Sequence, residues 1–140
     1  MKTINIVYWS GTGNTQAMAE FMADAIKENG HTANVYDVGD ISPEDTAKAD
    51  GILLGCPSMG MEVLEETVFE PFVEAFTGLS VSQPVGIFGS YDWGDGEWMR
   101  NWAERMEDAG IKVVGDGLIE QLEPSKEPCA DYAKALIEQL

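Results

Sequence analysis

Apolar and polar positions along this chain alternate between two periods. Residues 3–9 (Thr-Ile-Asn-Ile-Val-Tyr-Trp) read as a strand, followed by the loop Ser10-Gly11-Thr12-Gly13-Asn14-Thr15. Met18, Phe21, Met22, Ala25 and Ile26 then fall at i, i+3, i+4, i+7 and i+8, the stripe of an amphipathic helix, and Gly30 closes it as a C′ residue. A second strand covers about residues 32–38, with Val35 and Tyr36 among its apolar positions, and a short helical turn lies near Pro43–Lys48. The run Ile52-Leu53-Leu54 is short enough for a buried parallel strand. Phe69, Phe72, Val73 and Phe76 make another helical stripe, with Pro71 in its first turn, where proline is tolerated. Val85-Gly86-Ile87-Phe88 is the fourth strand, and Trp98, Met99, Trp102, Ala103 and Met106 mark a helix that Gly110 ends. Ile111–Val114, resumed at Leu118-Ile119, gives a fifth strand. Cys129, Tyr132, Ala133, Leu136, Ile137 and Leu140 line a last helix with Pro128 at its start.

Strict alternation of strand and helix predicts an α/β fold: a doubly wound, five-stranded parallel sheet with helices on both faces and right-handed crossovers. Five strands suit the order 2-1-3-4-5, whose ligand site lies outside the carboxyl ends of the strands near the switch point. No linker, repeat or low-complexity segment interrupts the chain, so residues 1–140 are expected to form one domain. Three loops follow central strands in this order: Ser10–Thr15, Cys56–Glu62 and Gly89–Glu97. The unusual residues of the sequence are concentrated in them.

Composition narrows the function classes. The formal net charge is −17, from 25 acidic and 8 basic side chains. Such a surface repels nucleic-acid phosphates and anionic membrane headgroups and favours partners with basic docking faces, although solubility alone is a second reading of the same acidity. No apolar run approaches a membrane span, and the N-terminus turns strand-like at once without a signal-peptide layout, so the expected compartment is the cytoplasm. Cys56 and Cys129 are the only cysteines, outside any C-x-x-C, and His31 stands alone, which argues against a structural zinc or an iron–sulfur cluster. Both cysteines read as core or near-core thiols of a reduced compartment.

The first loop packs glycines, hydroxyls and an amide between a strand and a helix. Glycines let successive N–H groups point inward, and the helix N-terminus adds partial positive charge. The hydroxyls of Ser10, Thr12 and Thr15 can donate to phosphate oxygens. The loop lacks the lysine of a nucleoside-triphosphate P-loop and the third glycine of a dinucleotide fingerprint, and no Lys or Arg occurs between Lys2 and Lys27. Dipoles without a countercharge suit one terminal phosphate; a capped turn is the structural alternative. In Gly89-Ser90-Tyr91-Asp92-Trp93-Gly94-Asp95-Gly96-Glu97-Trp98, the aromatics Tyr91 and Trp93 sit where a polar loop is expected, and a flat heteroaromatic ligand stacked on one of them explains it. Trp98 and Trp102, at helical spacing, read as core. In Cys56-Pro57-Ser58-Met59-Gly60-Met61-Glu62, Gly60 can reorient its peptide at low steric cost, Glu62 can accept from an imide N–H, and Met59 or Met61 can cover the opposite ring face; taken alone, this loop reads first as a plain surface turn.

Taken together, these loops resemble the flavodoxins. The resemblance rests on Tyr8-Trp9-Ser10-Gly11-Thr12-Gly13-Asn14-Thr15, on Gly55-Cys56-Pro57-Ser58-Met59-Gly60, and on Phe88-Gly89-Ser90-Tyr91-Asp92-Trp93-Gly94-Asp95-Gly96, in order and spread over essentially the whole chain. The last strand runs to Glu120 without a long insertion, as in the short-chain type. The resemblance implies non-covalent FMN and low-potential, one-electron transfer between redox enzymes, by a protein expected to be a monomer without substrate turnover of its own. It implies that Ser10 to Thr15 with Ser90 hold the phosphate, Trp93 stacks on the outer ring face and Met59 lies on the inner face. It further implies that Gly60 turns its carbonyl to N5–H of the one-electron-reduced flavin, Glu62 holds N3, and backbone groups of Gly89–Trp93 reach the pyrimidine edge. Asp92, where a glycine is usual, puts an extra carboxylate near N1/C2; Met61 stands where a small or acidic residue is usual. Asp92, Asp95, Glu97, Glu62, Glu65 and Glu66 flank this site, and each charge at about 12 Å is worth about 0.3–1.4 kcal/mol against an anionic reduced flavin.

Two other functions share the topology. An FMN-dependent NAD(P)H or quinone oxidoreductase needs a second pocket, and no basic cluster is present to receive a dinucleotide phosphate. A phospho-receiver domain needs an acidic pair after strand 1 and an acceptor Asp after strand 3, where this chain has Trp9-Ser10 and Cys56-Pro57.

Overall fold

The computed structural model describes residues 1–140. The elements run β1 (Thr3–Tyr8), α1 (Asn14–Glu28), β2 (Thr32–Asp37), α2 (Pro43–Thr46), β3 (Gly51–Gly55), α3 (Phe69–Thr77), β4 (Val85–Tyr91), α4 (Glu97–Asp108), β5 (Leu118–Gln121) and α5 (Lys126–Ile137). The five strands pair in parallel in the order β2-β1-β3-β4-β5, as the alternation predicts. Central β3 is buried from end to end, which its uninterrupted apolar run requires. Edge strand β2 is half exposed, and Val35 is open to solvent.

Side chains alternate across the sheet and separate two apolar layers. Ile4, Ile6, Leu53 and Phe88 pack with Met18, Met22 and Ile26 of α1 and with Cys129, Ala133 and Leu136 of α5. On the other face Val7, Ile52, Leu54 and Ile87 meet Phe69, Phe72 and Phe76 of α3 and Trp98, Trp102 and Met106 of α4. Trp98 and Trp102 are core residues, as their spacing implies; Trp102 meets Phe69 edge-on at 5.5 Å. Burial pushes the thiols of Cys56 and Cys129 up to about 12, the behaviour of inert packing groups.

The fifth strand departs from the expectation. It spans Leu118–Gln121, while Ile111–Val114 contributes only an isolated bridge between Val113 and Val85. Gly115 and Gly117, both at positive φ, carry the chain away before pairing with Phe88–Tyr91 resumes. Ile111 and Val114 are apolar because they plug opposite layers of the core. The Tyr132 hydroxyl of α5 stitches this gap, donating to the Val114 carbonyl (2.7 Å) and accepting from Ile87 N–H (3.1 Å).

Candidate functional site

The loops after β1, β3 and β4 meet at the carboxyl ends of adjacent strands. Trp9 N–H donates to the Gly55 carbonyl, Cys56 N–H to Phe88 and Ser58 N–H to Ser90, each at 3.0 Å, so the sheet ladder continues into the loops and fixes their spacing. Between them lies a cleft of about 240 Å³, lined by Trp9, Gly11 and Thr12 from the first loop, Pro57, Ser58, Met59 and Gly60 from the second, and Ser90, Tyr91, Asp92 and Trp93 from the third. It is too small to enclose a nucleotide and suits a ring held between loops with an edge left outside.

The first loop is organised by its own bonds. Ser10 Oγ accepts from Gly13 N–H (3.1 Å) and Gln16 N–H (3.3 Å), so this hydroxyl faces inward as a loop brace and keeps only its proton to offer outward. Gly13, at φ 99°, is the N-cap of α1, and Ala17 N–H donates to its carbonyl. The backbone N–H groups of Thr12, Asn14 and Thr15 find no acceptor in the chain. Thr15 and Ser90 are buried and share a hydroxyl–hydroxyl bond of 3.0 Å. Thr15 therefore stands behind Ser90, and Ser90 lines the cleft. Unpaired amides at a helix start, with hydroxyls and no cation, fit a phosphate group.

The other two loops supply the walls. Met59 and Val63 exchange backbone bonds of 2.8 and 3.0 Å, closing a tight turn over Gly60, Met61 and Glu62. Gly60 has φ 45°, Met61 is 86% exposed and does not line the cleft, and Glu62 is buried at φ 56°. Glu62 does not line the cleft: its Oε1 accepts from Asp95 N–H at 3.0 Å. Trp93 is 61% exposed, whereas Tyr91 leans on Trp98 with ring centroids 5.6 Å apart. An indole left open at the rim of a cleft, beside a tyrosine already packed, is the surface free to stack on a flat ring. The amides of Asp92 and Trp93 have no acceptor in the chain, while the Asp92 carbonyl accepts from Gln121 Nε2 at 3.2 Å. Gly89 lies in β4 under the Cys56 carbonyl, which leaves no room for a Cβ, and Gly94 and Gly96 form the outer turn before α4.

One of the flanking carboxylates also serves the start of α3. Glu65, counted among the charges around the site, is turned into α3. Its Oε1 accepts from Val68 N–H (2.8 Å) and Phe69 N–H (2.9 Å), and its Oε2 accepts from Thr67 N–H (2.9 Å) and the Thr67 hydroxyl. Burial works to raise this carboxyl, but the bonds from Thr67, Phe69 and Val68 outweigh it and hold it at about 2. Glu65 N–H also donates to Cys56 Sγ at 3.3 Å, so the residue ties the second loop to both helix and strand. An acid just ahead of an apolar helical stripe is the signal that identifies it. Asp95 is likewise paired, with Arg100 at 3.0 Å, which leaves the carboxylates of Asp92, Glu66 and Glu97 with neither a salt bridge nor a hydrogen bond within the chain.

Residues 6–134 match the family model described as flavodoxin. The chain is 45% identical over 135 residues to the flavodoxin of Clostridium beijerinckii, covering 95% of this chain and 98% of that protein. It is 42% identical over 132 residues to the flavodoxin of Megasphaera elsdenii, covering 94% and 96%. The solution structure of two-electron reduced M. elsdenii flavodoxin superposes with a TM-score of 0.88 over 96% of this chain and 98% of that one.

Proposed function

The chain belongs to the flavodoxin family, and from that premise we propose how its residues hold the cofactor. The protein is an electron carrier that binds FMN and passes electrons to and from redox partner proteins; it is not an enzyme. The observation that carries the proposal is the convergence, in one cleft, of a cation-free cradle of unpaired amides and an uncovered indole. The amides of Thr12, Asn14 and Thr15 and the hydroxyls of Ser10, Thr12 and Ser90 bind the phosphate, with Thr15 bracing Ser90. Trp93 covers the outer ring face and Met59 and Trp9 the inner side. The amides of Asp92 and Trp93 hold the pyrimidine edge, and Gly60 offers its carbonyl to N5.

FMN supplies the redox chemistry when bound; the chain orients it and sets its potential. Asp92 borders the cleft as an unpaired carboxylate, which disfavours added negative charge there and lowers the potential of the final reduction. Partners dock at this end through faces that are apolar at the centre and basic at the rim. Exposed Met61, Val63, Val68 and Trp93, with Glu66 and Glu97 nearby in sequence, supply the complement. No helix is long and apolar enough to cross a membrane. The one-domain, cytoplasmic, monomeric carrier expected from the sequence fits this reading.

Titration of apoprotein with FMN tests the site. One equivalent is expected to bind with quenched flavin fluorescence, and Trp93→Ala is expected to weaken binding about tenfold and restore emission. Unquenched flavin in the parent, or quenching lost with Trp98→Ala but kept in Trp93→Ala, would remove Trp93 from the ring face.

A further inference from the structure

Two tryptophans one turn apart on α4 pack into the same core layer, but their indole N–H groups differ. Trp98 Nε1 donates to the Cys56 carbonyl at 3.2 Å. Trp102 Nε1 is buried, in a residue only 2% exposed, and has no hydrogen-bond partner in the chain. No other buried side-chain nitrogen or oxygen of the protein is left in this way. An orphaned buried donor carries the full cost of its desolvation, so one in a native fold is expected to have an acceptor that the chain does not supply. The Trp102 ring forms part of the wall of a cavity of about 140 Å³ between α4 and the end of the loop after β3. Leu64 and Trp98 share its apolar wall, while Glu62, Glu70 and Asn101 bring polar side chains to it. At about 30 Å³ for each molecule, that is room for a small water cluster.

We propose that this cavity is a hydration site, in which a bound water accepts from Trp102 Nε1–H and donates to the carboxylates of its wall. The chemistry of the wall selects the occupant. An anion would meet two carboxylates, a cation has no lone pair to offer an indole N–H, and an apolar molecule would leave the donor orphaned. What fits is a neutral molecule that accepts at one end and donates at the other, and water does both. Arg105 does not compete, because both arms of its guanidinium are held by Glu70 at 2.7 Å. The side chains of Arg105 and Glu70 are 33% and 38% exposed, so solvent reaches the cavity without unfolding the chain. The seam between α4 and the loop that carries Gly60 is then closed by solvent rather than by side chains. The site belongs to the chain alone and holds with or without a ligand in the cleft.

Nuclear Overhauser measurements on the full-length protein read the water directly. The Trp102 indole proton should give a cross-peak to water with the sign of a long-lived bound molecule, in the presence and in the absence of FMN. No such cross-peak would overturn the proposal. A chemical replacement reads the energy. Benzothiophene in place of the Trp102 indole keeps the bicyclic shape and deletes the N–H. A donor bonded to water is then lost, so the folded-to-unfolded ratio from urea titration should fall about fivefold. An orphaned donor would instead be relieved, and the ratio would rise. The same replacement at Trp98, whose donor is bonded within the chain, sets the scale for a lost bond. A cross-peak combined with unchanged or raised stability would put water in the cavity but not on Trp102, and would also overturn the assignment. Should the substituted protein fail to fold, the cross-peak in the parent decides alone, present for the proposal and absent against it.

Discussion

The loop at residues 10–15 and the pair of loops at 57–63 and 91–97 border one cleft but are built on opposite plans. The first closes on itself: Ser10 Oγ gathers Gly13 and Gln16, and Ala17 bonds back to Gly13. It needs only the Thr15–Ser90 contact to be placed against β4. The second closes through Met59 and Val63, but the second and third are also tied to each other and to flanking elements, through Glu62 on Asp95, Arg100 on Asp95 and Gln121 on Asp92. They also leave Met61 and Trp93 in solvent. A self-braced loop can grip a group that does not change; cross-tied loops with uncovered apolar tips can respond to a ring whose charge and protonation do change. Affinity should therefore reside mostly in the first region and redox tuning in the second.

The largest expected effect tests the anchoring side. Riboflavin, which lacks the phosphate, should bind apoprotein about 1,000-fold more weakly than FMN, because several hydrogen bonds to a charged group are lost at about 1.5–3 kcal/mol each before compensation. Calorimetry with the two ligands measures it. Comparable affinities would mean that the ring loops hold the cofactor and the cradle is only a turn.

A smaller effect is expected at the base of the second region. Glu65 anchors the 60s loop to α3, and its carboxyl is lowered from 4.5 to about 2 despite burial, through bonds from Thr67, Phe69 and Val68. A lowered carboxyl contributes stability in full above its unfolded value and loses it as pH falls through the folded one. The contribution is present in full above about pH 4.5 and gone below about pH 2. Glu65→Gln should lower the urea midpoint at neutral pH and flatten the acid limb of the stability curve over that window. An unchanged acid limb would show that the helix end is satisfied without the charge.

Legibility in the sequence divides along the same line. The strand order and the apolar layers follow from periods that local residues set, and the glycine and proline positions mark where each element stops. The 10–15 loop was readable as a unit because its bonds are local, although the inward turn of Ser10 was not. Glu62, Glu65 and Asp95 looked alike as acids beside a site. Their partners distinguish them: a backbone amide 33 residues away, a helix N-terminus and an arginine. Composition carries no information about those directions. The run Ile111–Val114 misled for a related reason, since burial against two layers and membership of a strand demand the same residues.

The smallest expected effect is the sharpest test of the comparison, and it falls on Gly60. The bonds between Met59 and Val63 hold the ends of the turn, so the peptides of Gly60, Met61 and Glu62 can rotate between fixed points. The Gly60 carbonyl takes no hydrogen bond from the chain, and a Cβ at Gly60 would meet nothing within 4 Å. Substitution by alanine therefore creates no clash; its cost is conformational, about 1–2 kcal/mol for holding a Cβ residue at the observed φ of 45°. Oxidised flavin carries no proton at N5 and gains nothing from a carbonyl aimed there, whereas the one-electron-reduced ring has a donor to offer. Only an interaction that differs between redox states can move a potential. If the left-handed conformation is what aims the carbonyl, Gly60→Ala should bind oxidised FMN within a few-fold of the parent. Its first couple should then fall by about 40–80 mV, the same cost expressed per electron, and its second couple by less. Spectroelectrochemistry separates the couples, with circular dichroism as the check on folding. Equal movement of both couples would make Gly60 a plain turn residue, and the cross-tied region would lose its claim to the redox tuning.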